Sequence, residues 1–243
     1  MFNMPRIWLD YAQFAARCQL VTKTRTIYDQ ALQALPVTQH KMIWSSYVQW
    51  AIGLSDHTET EDEKPTFSAT ALHVYKRYIK LNGQAREDLI SYLLNVGKIE
   101  EALPIYEEII NLTNFNAKSG KTIAEFEVEM CEFMSKFPDM CFKLKKSPIA
   151  IMRNLIQEKY KEATSGLLGQ LWNYLAQFFI RLGQFGLARD IFEEALDREA
   201  NGIKTVRDFA IVYNSYLKFE RSLLTIEHDI NLENAEELKA SDI

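Results

Sequence analysis

The feature that most constrains this chain is a stripe of aromatic residues that returns along its length. In the first copy, Trp8, Tyr11 and Phe14 are three residues apart, and residues with this spacing lie on one face of a helix. The stripe returns at Trp44, Tyr47 and Trp50, at Trp172 and Phe178, and at Tyr213, Tyr216 and Phe219. Because large rings bury much apolar area, each copy predicts a helix whose stripe packs against neighbouring helices.

Two weaker copies of the stripe lie between the strong ones. One has Arg86 where the first ring is expected, and the other has Glu127 there. The six stripes begin at residues 8, 44, 86, 127, 172 and 213, so successive copies are 36 to 45 residues apart. An interval near 40 residues with two helices per unit is typical of an α-solenoid.

A second block alternates with the stripe and has its own pattern. Residues 25–32 and 189–196 share arginine, isoleucine, an aromatic, alanine and leucine at matching positions. The defining residues are Arg25, Tyr28 and Ala31 in one copy and Arg189, Phe192 and Ala195 in the other, with looser copies around Tyr75 and Tyr106. A degenerate copy spans 149–156. A small alanine lets two helices approach closely, so each stripe helix (A) and the following block (B) predict one helix pair.

These patterns predict an all-α fold, an α-solenoid of stacked antiparallel helix pairs that forms a HAT/TPR-like superhelix. The array is expected over residues 1–226, with about five helix pairs and a final helix. A tail over 227–243 is expected to fray, because its last residues have no aromatic ring. No segment shows the apolar alternation of a strand.

Residues that end or start helices occur at the expected boundaries. Gly97 and Gly183 lie between an A and a B helix, where a C-cap glycine is typical. Thr122 and Asp208 lie near predicted helix starts, where small polar side chains cap free N–H groups. Pro104 lies inside a B block and is expected to kink that helix.

Charge and composition limit the classes of partner. The formal net charge is −5, whereas a non-specific nucleic-acid binder needs an excess of Lys and Arg. Direct RNA contact is therefore open but not indicated by charge. The polar, acidic segment 55–65 predicts a surface loop, with an acidic docking site as the alternative. Three cysteines without paired spacing and the lack of a long apolar run or signal peptide predict a soluble intracellular protein without disulfides.

Candidate chemical motifs are weak. Ser119-Gly120-Lys121-Thr122 resembles the end of a phosphate-binding loop, but Phe115 stands where the motif needs its first glycine. The histidines are not paired at helical spacing, and Cys131 and Cys141 are expected to be core thiols. The sequence thus predicts no catalytic, cofactor-binding or metal-binding residue, no small-molecule substrate, and a protein that is not an enzyme.

The two patterns together resemble the HAT (half-a-TPR) repeat. Three runs at residues 4–11, 31–40 and 205–209 are similar to the HAT-repeat pre-mRNA-splicing factors of the Syf-one type, called XPA-binding HAT proteins in animals. The run Ala-Leu-Pro-Val-Thr-Gln-His at 34–40 is the most specific, since packing and capping alone do not require it. Members are several-fold longer, so the resemblance implies that this chain starts within the array.

The resemblance implies a nuclear scaffold subunit of the spliceosome-associated Nineteen Complex that binds other splicing-complex proteins through its helical-repeat surface. Residues 97–102 are also TPR-like, which leaves open an adaptor of another complex, such as mRNA 3′-end cleavage, ribosomal RNA processing or a chaperone complex. The sequence assigns no residue to partner binding.

Overall fold

A computed structural model describes residues 4–54, 67–112, 115–144, 147–161, 166–197 and 203–241, with side chains of the last segment described to residue 225. The described residues are helical with short connections, and none of them forms a strand. They divide into two compact units, Met1–Ile123 and Ala124–Ile243. The predicted acidic loop 55–65 falls outside the described residues.

The first unit consists of three consecutive helix pairs. Their helices are α1 (Pro5–Arg17), α2 (Val21–Ala34), α3 (His40–Gly53), α4 (Ala69–Ile79), α5 (Ala85–Val96) and α6 (Ile99–Ile110). Each helix packs on its partner within the pair. In addition, α3 packs on α1 and α2, and α5 packs on α4, so that each A helix lies against the B helix before it.

The second unit has the same alternation with one irregular pair. Its helices are α7 (Ile123–Lys136), α8 (Pro138–Lys143), α9 (Pro148–Asn154), α10 (Leu167–Arg181), α11 (Phe185–Leu196) and α12 (Val206–Ser241). A π-helical turn, Leu155–Lys159, extends α9. The closing helix α12 packs on both α10 and α11. The predicted all-α class with stacked helix pairs is confirmed.

The cores contain large rings and small alanines together. Trp172 is 1% exposed, and Tyr47, Phe178 and Phe192 are as deeply buried. Fully buried alanines lie among them, where helices pack closely: Ala12, Ala31, Ala51, Ala71, Ala102, Ala176, Ala188 and Ala195. An alanine at such a position allows the backbones to approach, and the rings fill the remaining volume at native density.

The predicted helix ends are largely observed. Gly97 directly follows α5, and Gly183 lies one residue beyond Leu182, the C-cap residue of α10. Both glycines adopt the left-handed conformation, with φ of 77° and 72°, so both helix-end predictions are confirmed. Pro104 lies inside α6, which runs past it without a break. Thr122 directly precedes α7, and its capping role stays a prediction.

The last helix continues past the predicted boundary between the array and the tail. The backbone of α12 is helical from Val206 to Ser241, and it includes most of the segment 227–243 that was expected to be a tail. The division of the chain at residue 226 into an array and a frayed tail stays a prediction.

Candidate protein-interaction surfaces

One ring contact recurs at three places where a B helix meets the next A helix. Tyr28 of α2 stacks on Tyr47 of α3, with ring centroids 4.6 Å apart and planes 12° from parallel. The side chain of Tyr28 is further fixed by a hydrogen bond between its hydroxyl and that of Ser46, at 3.0 Å. Burial raises the pKa of Tyr28, so this phenol stays neutral.

The same contact forms in two other repeats. Tyr75 of α4 stacks on Tyr92 of α5 at 5.8 Å, and Phe192 of α11 stacks on Tyr216 of α12 at 5.1 Å. The ring from the B helix meets the middle position of the following stripe at Tyr47 and Tyr216, and the third position at Tyr92. The stripe is therefore the surface on which an A helix receives the preceding B helix.

The predicted signature residues fall into three classes of exposure. Those that are buried are Tyr28, Ala31, Trp44, Tyr47, Tyr75, Tyr106, Trp172, Phe178, Phe192, Ala195 and Phe219. Three are half-buried, namely Trp8, Trp50 and Tyr216, and five are exposed, namely Tyr11, Phe14, Arg25, Arg189 and Tyr213. The exposed rings all belong to the first and last A helices.

The prediction that every stripe is buried is wrong for α1. Tyr11 is 43% exposed and Phe14 is 65% exposed, and Met4 and Ile7 extend the same exposed face. The buried face of α1 consists instead of Ala12 and Ala15. The reason is that no B helix in the described part of the chain covers this stripe. We call Met4, Ile7, Tyr11 and Phe14 the α1 face.

Tyr213 in α12 is a second departure, since it too was expected to be buried. It is 44% exposed and stacks on Phe209 of the same helix at 5.7 Å. The ring of Phe219, two turns further along, carries the buried contact with Phe192 instead. The stripe of α12 therefore turns from exposed to buried along the helix.

The predicted arginine of the B block forms an exposed ion pair with the next A helix. Arg189 of α11 donates two hydrogen bonds to the carboxylate of Glu220 in α12, at 2.7 and 3.0 Å. The bonds from Arg189 lower the pKa of Glu220. In the third repeat, Arg86 stands at a ring position and instead donates to Glu108 of α6 at 3.3 Å.

Asp208 does not act as the predicted cap of its own helix. Thr205 takes that role, because its hydroxyl oxygen accepts from the backbone N–H of Asp208 at 3.1 Å. The carboxylate of Asp208 is fully buried, and it accepts from the backbone N–H of Gly169 in α10 at 2.8 Å and from the Thr205 hydroxyl. This link satisfies a free N–H in the first turn of α10 and ties that helix to α12.

Glu127, which stands at a ring position in the stripe of α7, is bound by two neighbouring side chains. Its carboxylate is buried and accepts from the Lys159 ammonium at 2.5 Å and from the hydroxyl of Tyr160. Both donors come from the π-helical turn and the residue after it. Burial and the neighbouring Glu127 raise the pKa of Tyr160. A polar cluster thus replaces ring packing between α7 and its irregular B element.

The specific run at residues 34–40 closes the turn between α2 and α3. Nε2 of His40 donates to the backbone carbonyl of Leu35 at 2.8 Å, across a turn that contains Pro36. This bond gives a reason for a histidine at the end of the run, which packing and capping alone did not require. The role of His40 is therefore structural.

The described residues contain no group of three or more His, Cys, Asp or Glu able to hold a metal ion. Cys131 and Cys141 are buried, as predicted, and burial raises the pKa of Cys131 to about 12.

The run that resembles a phosphate-binding loop lies against a carboxylate. The backbone N–H of Ser119 donates to the carboxylate of Glu87 in α5 at 3.1 Å. Among the described helices, none is both long and apolar enough to cross a membrane.

Comparison with known proteins identifies the repeats. Residues 86–242 match the family model described as the middle HAT repeat of pre-mRNA-splicing factor SYF1, and residues 1–84 match the N-terminal HAT repeat model of Syf1/CNRKL1. The boundary between the two matches falls at the start of α5.

Full-length relatives with similar sequences occur in distant eukaryotes. The pre-mRNA-splicing factor SYF1 of Homo sapiens is 36% identical over 238 residues, which is 98% of this chain and 25% of the relative. The Drosophila melanogaster homologue is 37% identical over 90% of the chain and 22% of its own length. Cwf3 of Schizosaccharomyces pombe is 34% identical over 97% of the chain and 27% of its own length. The chain thus spans about a quarter of the length of these relatives.

Proposed function

Since the chain belongs to the SYF1 family of HAT-repeat pre-mRNA-splicing factors, we propose that it acts as a scaffold in pre-mRNA splicing. In this proposal it binds other proteins of the spliceosome-associated Nineteen Complex through its helical-repeat surface, and it performs no chemistry itself. Its place of action would be the nucleus, where pre-mRNA is spliced.

The observation that supports protein binding most directly is the α1 face. In three other stripes, a ring is stacked by an aromatic side chain from the B helix before it, as Tyr47 is by Tyr28. Tyr11 and Phe14 present the same stripe to solvent. The surface complementary to this stripe is an amphipathic helix that contributes an aromatic ring and a small residue one turn later.

Charge supports a protein partner over RNA. The chain carries a net charge of −5, and most rings of the inner stripes, from Trp44 to Phe178, are buried against helices. Single-stranded RNA is bound by exposed rings beside Lys and Arg. Lys23 lies 6.0 Å from the ring centre of Tyr11, and this single cation is too little charge to hold a phosphate backbone.

The test is recovery of partners from nuclear extract by the tagged chain, followed by cross-linking mass spectrometry. We expect splicing-complex proteins to be enriched, and a Phe14→Ser variant to lose those that cross-link to α1. An Asn214→Ser variant, changed at an exposed position of α12, serves as the control. Enrichment of 3′-end cleavage or ribosomal RNA processing factors without any splicing protein would support the alternative adaptor function and overturn this one.

A further inference from the structure

Within the first unit, α3 and α5 leave a groove of about 620 Å³ between them. Both helices pack on α4, which forms the floor of the groove, whereas α1 and α3 pack on each other directly. We call this space the α3–α5 groove, and the residues that characterise it are Lys41, Gln49 and Ile52 of α3, Tyr78 of α4, and Asp88 and Asn95 of α5.

One end of the groove carries two lysine side chains. Trp44, near the start of α3, stacks at 5.5 Å on Tyr78, near the end of α4, so the starts of α3 and α5 lie at the same end. Lys41 and Lys118 line this end. Lys118 binds Asp88 at 3.0 Å but stays mostly exposed, and Lys41 has no ion pair with any residue in the described ranges. Asp88 neutralises Lys118, which also lies near Glu87, so Lys41 is the cation that this end offers to a ligand.

The other end of the groove is apolar, and its middle is polar. Ile52 and Val96 line the end that lies at the C-terminal halves of α3 and α5. Gln49, Ser91 and Asn95 line the middle, and all three are exposed. Amide side chains offer a donor and an acceptor each, which suits the alternating N–H and C=O groups of an extended backbone.

The length of the groove sets the length of its ligand. Lys41 and Ile52 are eleven residues apart on one helix, which at the rise of an α-helix is about 16 Å. An extended chain rises by about 3.3 Å per residue, so about five residues cover this distance.

We propose that the α3–α5 groove binds an extended segment of a partner protein, about five residues long. The segment carries a carboxylate that meets Lys41, and an aliphatic side chain that meets Ile52 and Val96. This inference rests on the proposed function as a protein-binding scaffold, and it specifies the chemistry of one partner segment. The α1 face takes a helix, whereas this groove takes an acidic, extended peptide.

The groove does not suit single-stranded RNA. The rings on its floor already stack within the protein, Tyr78 on Trp44 and Tyr75 on Tyr92. One face of each ring is therefore occupied and cannot stack on a base. Asp88 would also lie close to any phosphate bound at the end that carries Lys41. A protein carboxylate requires one cation and tolerates this arrangement.

The test is selection from a library of random peptides about seven residues long, displayed on a surface and probed with the full chain. We expect enriched peptides to share an acidic residue about four positions from an aliphatic one. Their affinity should fall roughly tenfold in a Lys41→Glu variant, equal to about 1.4 kcal/mol. Binding should also weaken as salt rises, because the charged contact is exposed. A Ser91→Trp variant, which fills the groove, should abolish binding.

The matched control is Lys218→Glu, the same charge change at an exposed position of α12 in the other unit. It should bind the selected peptides like the unchanged chain, and circular dichroism should show that all variants stay folded. Three results would overturn the proposal: no enriched peptide, enriched peptides without the acidic residue, or peptide binding unaffected by Lys41→Glu and Ser91→Trp. Binding of a labelled single-stranded RNA in place of peptides would overturn it too.

The two experiments can fail independently, so a failure of the groove proposal can be told from a failure of the scaffold function. If the unchanged chain and the Lys41→Glu variant recover the same splicing proteins from nuclear extract, and the peptide library yields nothing, the scaffold function stands and the groove proposal fails. If the unchanged chain recovers no splicing protein, the scaffold function fails whatever the peptide library shows.

Discussion

At the scale of single residues, this protein uses glycine and acidic side chains where helices come closest. Gly169 lies inside α10, and a Cβ at this position would meet the backbone of Asp208 at 2.8 Å. Real Cβ atoms do not approach backbone that closely, so only glycine fits between α10 and α12. The same approach lets the Asp208 carboxylate reach the Gly169 N–H. One residue pair thus sets both the spacing and the register of two A helices.

A Gly169→Ala substitution should therefore destabilise the chain by roughly 1–3 kcal/mol, as overpacking does in other cores. The control is Gly186→Ala in α11, where nothing lies within 4 Å of the new Cβ. That change should be neutral or stabilise by up to about 1 kcal/mol through helix propensity. Urea unfolding of both variants measures the difference, and equal stabilities would contradict the close approach.

The rings of the stripes should contribute to the free energy of unfolding according to how deeply they are buried. Trp172→Ala removes a ring that is 1% exposed, so it should cost roughly 3–5 kcal/mol. Phe14→Ala removes an exposed ring from the equivalent stripe of α1, so it should change stability by no more than about 0.5 kcal/mol. Denaturant unfolding compares the two. A loss below 1 kcal/mol for Trp172→Ala would show that its burial contributes little.

At the scale of helices, ring stacking joins an A helix to a B element in several places, and a buried carboxylate does so in another. Ring stacking joins α2 to α3, α4 to α5 and α11 to α12. A buried carboxylate joins α7 to the π-helical turn, where Glu127 takes the place of a ring. A polar cluster of this kind is specific because both partners must be present, and one left alone is an unsatisfied buried group.

This cluster predicts a measurable coupling between Glu127 and Tyr160. Glu127→Ala should cost about 1–3 kcal/mol, because the Tyr160 hydroxyl would lose its acceptor inside the core. In a double-mutant cycle with Tyr160→Phe, the coupling energy should reach about 1 kcal/mol or more. The matched reference pair is Lys76→Ala and Glu101→Ala, an exposed ion pair for which coupling should stay near zero. Additive losses at 127 and 160 would rule out a cooperative cluster.

At the scale of the whole molecule, the chain consists of two units with their own cores. The first is built around Tyr47, Leu89 and Leu93, and the second around Trp172, Phe178 and Phe192. In repeat proteins, stability is approximately a sum of terms within repeats and between neighbours. Each unit contains at least two neighbouring helix pairs, which gives each one an apolar core of its own.

Residues 1–121 and 122–243 should therefore each fold when expressed separately. Both fragments should show helical circular dichroism and a cooperative denaturant transition, because the neighbour contacts within each unit are retained. The full chain measured under the same conditions is the control. A fragment that has a random-coil spectrum would show that its core does not suffice.

The amino-acid sequence by itself determined the helices, their alternation and the family. Helical periodicity and C-cap glycines depend on residues within a few positions of each other, so they can be predicted without knowing the fold. Tertiary structure alone decided which rings are buried and which carboxylates are paired. Asp208 bonds to Gly169 39 residues away, and Glu127 bonds to Tyr160 33 residues away. The exposure of Tyr11 and Phe14 depends likewise on whether a helix lies against them, and a local pattern contains no information about such distant neighbours.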